Sequence, residues 1–188
     1  MGSGVEGLAG SRAVEFRSRR QTYLTLLSSF PSFPSFLTLP PMPEVIPIGS
    51  DHAGYQLKER MVEELRDLGY EPLDLGTHSP ESTDYPDFAH KVALEVEQHH
   101  ASRGVLLCGS GLGMSYAANR HRGVRAAVAW NPEIAKLARE HNDANILILP
   151  ARFVSEDEGA EILKTWLETQ FAGGRHVRRL EKIDQENG

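Results

Sequence analysis

The 188-residue chain has one cysteine, Cys108, so it can form no internal disulfide, and a reducing compartment is the expectation. Aromatic residues are only 7% of it. No apolar run approaches the roughly 20 residues that a helix needs to span a bilayer. Positive charge is scarce: 20 Lys and Arg against 26 Asp and Glu leave a formal charge of −6, which argues against the basic stripe of a nucleic-acid binder. No H-E-x-x-H or C-x-x-C spacing is present, so no metal is expected. There is no G-x-S-x-G elbow, which argues against a hydrolase of that kind. What remains, 40% hydrophobic and 24% charged, is the composition of an ordinary globular domain.

Residues 1–41 stand apart. They hold Arg12, Arg17, Arg19 and Arg20 against Glu6 and Glu15, and Phe16, Phe30, Phe33 and Phe36, four of the chain's seven phenylalanines. The run SSFPSFPSFLTLPP has neither a helical nor a strand period, and its prolines forbid a regular ladder. A transit peptide, an upstream segment ahead of a start at Met42, and a disordered interaction tail all fit. Residues 42–188 are expected to form the functional domain.

From Val45 the pattern alternates. Short apolar strands are expected at Val45–Ile48, Glu71–Leu75, Gly104–Leu107, Val124–Trp130 and Asn145–Leu149. Amphipathic helices are expected at Tyr55–Leu68, Tyr85–His100, from Met114 onward, Pro132–Glu140 and from Ser155 to about Gln170, with a last basic helix at Arg175–Asp184. Asn131 before Pro132 reads as an N-cap, and Ser155 with Glu158 as a capping box. Val124–Trp130 is apolar throughout after Arg125, as in a strand covered on both faces. Alternation with short loops predicts a three-layer α/β/α sandwich around a five-stranded parallel, Rossmann-like sheet.

The chain is organised around GVLLCGSGLGMSYAANR, residues 104–120. A strand breaks into Cys108-Gly109-Ser110-Gly111-Leu112-Gly113 and restarts as a helix. Such a loop lets backbone N–H groups approach an anion, and a thiol beside a helix N-terminus is a candidate nucleophile or base. The glycines are spaced G-x-G-x-G, not the G-x-G-x-x-G of a dinucleotide site, and no P-loop Lys-Ser or Lys-Thr follows. A small anionic substrate is therefore favoured over a nucleotide cofactor. Asp51 and His52 follow the first strand and Arg152 the fifth, at the rim where parallel sheets bind ligands. His141, Asn142 and Asp143 precede the fifth strand, so that rule does not place them there. Arg175, His176, Arg178 and Arg179 follow a double glycine. Taken singly, Asp51 as a cap, the histidines as surface groups and the arginines as a solvated face are each adequate readings.

Five motifs taken together, SDHAG, TDYPDFA, CGSGLGMSYAANR, REHNDAN and GGRHVRR, resemble type B ribose-5-phosphate isomerase, in the family that includes galactose-6-phosphate and allose-6-phosphate isomerases. The resemblance runs from about Val45 to Asp184. It implies an aldose–ketose isomerase that works through a cis-enediolate without metal or cofactor. It also implies a homodimer or tetramer with sites at the subunit interface and no nucleic-acid or membrane partner. Cys108 would be the base, Asp51 and His141 would open the sugar ring, and Ser110 would donate a hydrogen bond. The Gly109–Gly113 amides, including those of Gly111 and Leu112, would hold the enediolate oxygen. His52, Arg152, Arg175 and Arg179 would bind phosphate, with His176 in the same cluster. Asn142 would steady substrate oxygens and Tyr85 would line the sugar site. A hexose-phosphate isomerase of the same family and a non-catalytic sugar-phosphate binder are the alternatives. The implied location is cytoplasmic, with organelle targeting by residues 1–41 left open.

Because residues 1–41 lack the period of any core element, a chain beginning at Met42 is expected to fold and keep full activity. Circular dichroism and an isomerase assay on that truncation check it; an insoluble or inactive product would put the extension in the core.

Overall fold

The computed structural model describes residues 42–183; the expectations for residues 1–41 lie outside the described residues. Strand β1 (Val45–Ser50) leads into α1 (Tyr55–Asp67), β2 (Glu71–Asp74), α2 (Tyr85–Glu97) and β3 (Gly104–Cys108). Then come α3 (Leu112–Ala118), β4 (Ala126–Val128), α4 (Pro132–Asn142), β5 (Ile146–Pro150) and α5 (Glu156–Glu168). A 3-10 turn at Gly174–His176 runs into a short helix, α6 (Val177–Leu180). The strands form one parallel sheet in the order β2-β1-β3-β5-β4. Among the described residues no helix is long and apolar enough to cross a membrane.

The layers follow from side-chain alternation. Val105 and Leu107 of β3, with Leu147 and Leu149 of β5, meet Leu57, Met61 and Leu65 of α1 and Ile162, Leu163 and Trp166 of α5. Leu106 and Cys108, with Ile146 and Ile148, face Ala89, Val92 and Val96 of α2 and Met114 and Ala118 of α3. Both faces of the central strands are buried, which is why β3 and β5 read as unbroken apolar runs. Each fully buried Leu or Ile contributes about 1.5–3 kcal/mol. The expected caps are present. Asn131 Oδ1 accepts from Ile134 N at 2.9 Å, and the Ser155–Glu158 capping box is complete.

The segment after β2 is tied tightly to β1. Leu75 N donates to Ile48 O at 2.8 Å and Thr77 N to Ser50 O at 3.0 Å. Between them, a Cβ on Gly76 would lie 2.1 Å from Ser50 N and 2.5 Å from Gly49 Cα. Lys58, fully buried in the first turn of α1, sets its ammonium 2.5 Å from Asp74 Oδ2 and 2.7 Å from Glu59 Oε1. The other oxygen of Asp74 accepts from Gly76 N at 3.2 Å. A buried ammonium needs such partners, because leaving one unpaired costs several kcal/mol.

Two expectations are corrected. The fourth strand is only Ala126–Val128, lies at the edge of the sheet and is half-buried. It is apolar because α3 and α4 pack over it. The outward-facing backbone of Ala126 is satisfied by Asn119, whose Nδ2 donates to Ala126 O and whose Oδ1 accepts from Ala126 N, both at 2.9 Å. The expected helix from Arg175 is instead one 3-10 turn and one helical turn. Gly173 before it and Gly174 at its start take φ of 64° and 57°, and His176 is buried as its anchor.

Gly76→Ala is expected to cost about 3 kcal/mol, since the new methyl meets the backbone of β1 at Gly49 and Ser50. Gly69→Ala, at φ 85° but in open space, should cost about 1–2 kcal/mol of left-handed strain. Urea unfolding of the two variants gives the comparison, and equal losses would contradict the packing described.

Candidate active site

In a parallel sheet ligands sit at the carboxyl ends of the strands, where the chain order reverses. That reversal falls between β1 and β3, because the chain leaves β1 for β2 on one side and returns to β3 on the other. The loops after β1 and β3 meet there. Asp51, only 7% exposed, donates its N–H to Leu107 O at 3.2 Å. Its Oδ1 accepts from Gly54 N at 3.0 Å, which shapes the turn into α1. Beside it Cys108 is 4% exposed, and its sulfur accepts the Gly111 N–H at 3.1 Å. Gly111 takes φ 78°, a conformation that turns this amide back onto the sulfur and starts α3 in one step. Leu112 N points to Ser110 Oγ at 3.4 Å. Of the loop amides, those of Gly109, Ser110 and Gly113 make no bond among the described residues.

Other side chains border the same loop. The Arg152 side chain lies over Gly109, with its Nε 3.1 Å from where a Cβ would stand. It is exposed and has no acidic partner among the described residues. The Tyr85 ring packs against Gly113, where a Cβ would come within 2.6 Å of the ring. Nδ1 of His52 accepts from Thr83 N at 3.3 Å. One end of the sheet therefore gathers Asp51, His52, Tyr85, Cys108, the Gly109–Gly113 loop and Arg152.

The remaining candidates collect at the opposite end. His141 and Asn142 close α4, and Asp143 follows in the left-handed conformation at φ 46°. Asp143 holds that turn with both oxygens, Oδ1 2.8 Å from Arg139 Nη1 and Oδ2 2.9 Å from Arg125 Nη2. Ala172 N donates to Glu140 O at 3.0 Å, which brings the Gly173–Arg179 segment alongside. The His176 ring stacks on that of His141 with centroids 4.5 Å apart and planes 8° from parallel. His176 is 8% exposed, while Arg175 and Arg179 are exposed beside it. Burial, with His141, Arg175 and Arg179 adding to it and Glu140 opposing, holds His176 below the ordinary imidazole value. His176 thus lies behind His141 as a support. Within one chain the structure brings together Cys108 with Asp51, and His141 with Asn142, His176, Arg175 and Arg179, but not the two sets.

Sequence reading did not single out Thr83 or Lys58, and it gave Asp143 a place but no role. Their signals were present but local, a threonine and a carboxylate in two of the motifs and a lysine inside an amphipathic stripe. Among the described residues no three His, Cys, Asp or Glu side chains converge as a metal site would require.

The chain is similar to known proteins. The family model described as Ribose/Galactose Isomerase matches residues 46–183. Ribose-5-phosphate isomerase B of Escherichia coli is 44% identical over 138 residues, covering 73% of this chain and 93% of that protein. The crystal structure of a ribose 5-phosphate isomerase from Thermotoga maritima superposes with a TM-score of 0.73 at 52% identity, over 75% of this chain and 97% of that one. Ribose-5-phosphate isomerase B from Mycoplasma genitalium, solved with bound ribulose-5-phosphate, gives 0.74 at 41% identity, over 77% and 96%.

The lowered His176 value fixes a sign. The folded state takes up fewer protons there than the unfolded chain, whose imidazole titrates near 6.5. The stability this residue contributes is complete above that value and lost as pH falls through it toward the lowered folded value. Unfolding midpoints from pH 8 to 5 should fall more steeply for the native chain than for His176→Gln. Parallel slopes would contradict a His176 kept neutral by its surroundings.

Proposed function

The chain belongs to the ribose/galactose isomerase family, in its type B ribose-5-phosphate isomerase branch, and from that premise we propose that it interconverts ribose 5-phosphate and ribulose 5-phosphate with Cys108 as the base. The observation that carries the assignment of the base is the buried Cys108 sulfur, held by the Gly111 N–H at the mouth between β1 and β3. Cys108 as thiolate takes the C2 proton of the open-chain aldose. The C–H electron pair becomes the C1–C2 double bond, and negative charge collects on O1. The resulting cis-enediolate is met by the Ser110 hydroxyl and by the amides of the Gly109–Gly113 loop that make no other bond, those of Gly109, Ser110 and Gly113. The Cys108 thiol then returns its proton to C1 as the O2 hydroxyl proton passes to O1 and the carbonyl reforms at C2. Nothing is oxidised overall, so no co-reactant is required. A positioned base contributes about 100- to 10,000-fold, and one oxyanion donor roughly 3–4 kcal/mol.

The sugar ring must open first, which requires a proton taken from the anomeric hydroxyl and one given to the ring oxygen. Asp51 and His141 suit that paired task, with Asn142 steadying substrate oxygens and Tyr85 against the sugar. His52, Arg152, Arg175 and Arg179 bind the phosphate, where a guanidinium can engage two oxygens at once. That remote binding energy orients the reacting carbons. Since His141 and the two late arginines lie at the far end of the sheet from Cys108, the complete site forms between two chains. Each site then combines Cys108 of one subunit with His141 of the partner subunit.

Cys108→Ala should lower turnover by about 100- to 10,000-fold while leaving the unfolding midpoint nearly unchanged. His141→Ala should be strongly impaired on the cyclic substrate. Mixing the two inactive chains and allowing subunit exchange should restore activity, with about one quarter of all sites intact under two-fold symmetry. Near-normal turnover of Cys108→Ala would overturn the base assignment. No recovery after verified exchange would overturn the shared site.

A further inference from the structure

His52 and Thr83 are joined by a reciprocal pair of hydrogen bonds across 31 residues of sequence. His52 N donates to Thr83 Oγ1 at 3.2 Å, and Thr83 N donates to Nδ1 of the His52 ring at 3.3 Å. A backbone amide can only donate, so Nδ1 must offer its lone pair. A neutral imidazole carries one N–H, which then sits on Nε2. We propose that Thr83 is a positioning residue that fixes His52 as the Nε2–H tautomer, so that the ring presents a hydrogen-bond donor to an oxygen of the sugar phosphate. The proposal rests on the reading above in which His52 faces substrate.

The amide of Thr83 is itself held in place. Immediately after it, Asp84 is the extended cap residue of α2 and Tyr85 begins that helix with its ring on Gly113. At the other end of the loop Thr77 is buried, bonded through its amide to Ser50 O, and its Oγ1 accepts from Ser79 N at 3.4 Å. Gly76 and the Lys58–Asp74 pair fix the segment just before it. The residue 76–84 loop is therefore tied at both ends, and its Thr83 amide acts as a fixed clamp on one ring nitrogen. Such an arrangement selects for an oxygen acceptor at Nε2, whether from the phosphate or from a sugar hydroxyl. It selects against a ligand that would bring its own N–H or O–H hydrogen to that nitrogen.

The test separates the tautomer from the activity. The full-length protein is labelled with 15N-histidine and its long-range 1H–15N correlations are recorded without substrate, with His52→Gln assigning the His52 ring. The expected pattern is the Nε2–H tautomer; an Nδ1–H pattern overturns the proposal. Thr83→Val keeps the amide and should keep the tautomer. Thr83→Pro removes the amide hydrogen and should release it, raising KM for ribose 5-phosphate about 3- to 10-fold with little change in kcat. A folded Thr83→Pro that retains the Nε2–H pattern overturns the proposal. If Thr83→Pro does not fold, the spectrum of the native chain still decides. His52→Gln, whose amide nitrogen stands near the Nε2 position, should keep lower KM than His52→Asn, and the reverse order counts against a donor at Nε2. Failure of the native chain to turn over ribose 5-phosphate would defeat the functional reading alone, because the tautomer is measured without it.

Discussion

Every strand of this sheet points the same way, and the rest of the molecule is arranged around that constraint. Each helix must return the chain to the end where the next strand begins. Residues that end strands and residues that end helices are therefore collected on opposite sides. Five residues of β3 alone separate the two sides by about 16 Å, far beyond the ~3 Å over which a proton can be handed between groups. Cys108 and Asp51 end strands, whereas His141 ends a helix and His176 follows one. On the proposed reaction, a second chain is how this topology brings both sets of groups to one sugar.

Within each side, precision comes from backbone held close to backbone. At the Cys108 end, β1, the turn after β2, the turn into α1 and β3 are joined through Ser50, Gly76, Gly54 and Leu107 with little intervening side chain. At the His141 end, charge and ring stacking add to the backbone ladder, through Asp143 between two arginines and His176 beneath His141. The first arrangement suits groups that act on carbon and tolerate little displacement. The second suits long side chains that grip a phosphate.

Much of the fold was legible because period and caps are local signals. The alternating runs placed all five strands, and Asn131, Pro132, Ser155 and Glu158 placed two helix starts. The errors arose where a signal had two causes. Val124–Trp130 is apolar because helices cover it, yet it forms only three residues of edge strand. The residues from Arg175 to Asp184 are compatible with a helix, but two left-handed glycines and the burial of His176 confine it to one turn. Among the residues of the proposed site, sequence could name Cys108, Asp51 and His141 because their residue types carry chemistry. It could not show that the Gly111 amide points at sulfur, that His176 is buried, or that Thr83 clasps His52. Those facts depend on segments brought together by folding. The buried Lys58 was the least legible, since in a helical stripe it reads as a solvated charge.

The Asn119 amide against Ala126 bears on how copies of the chain can associate. An edge strand with free backbone groups is a template on which another strand can add. Here the outward N–H and C=O of Ala126, in a strand of three residues, are already engaged by a side chain that imitates a neighbouring strand. Growth into a continuous sheet across β4 is thereby discouraged. The chain thereby avoids the unlimited edge-to-edge stacking that an open ladder invites, and any pairing of copies at this edge is left to side chains.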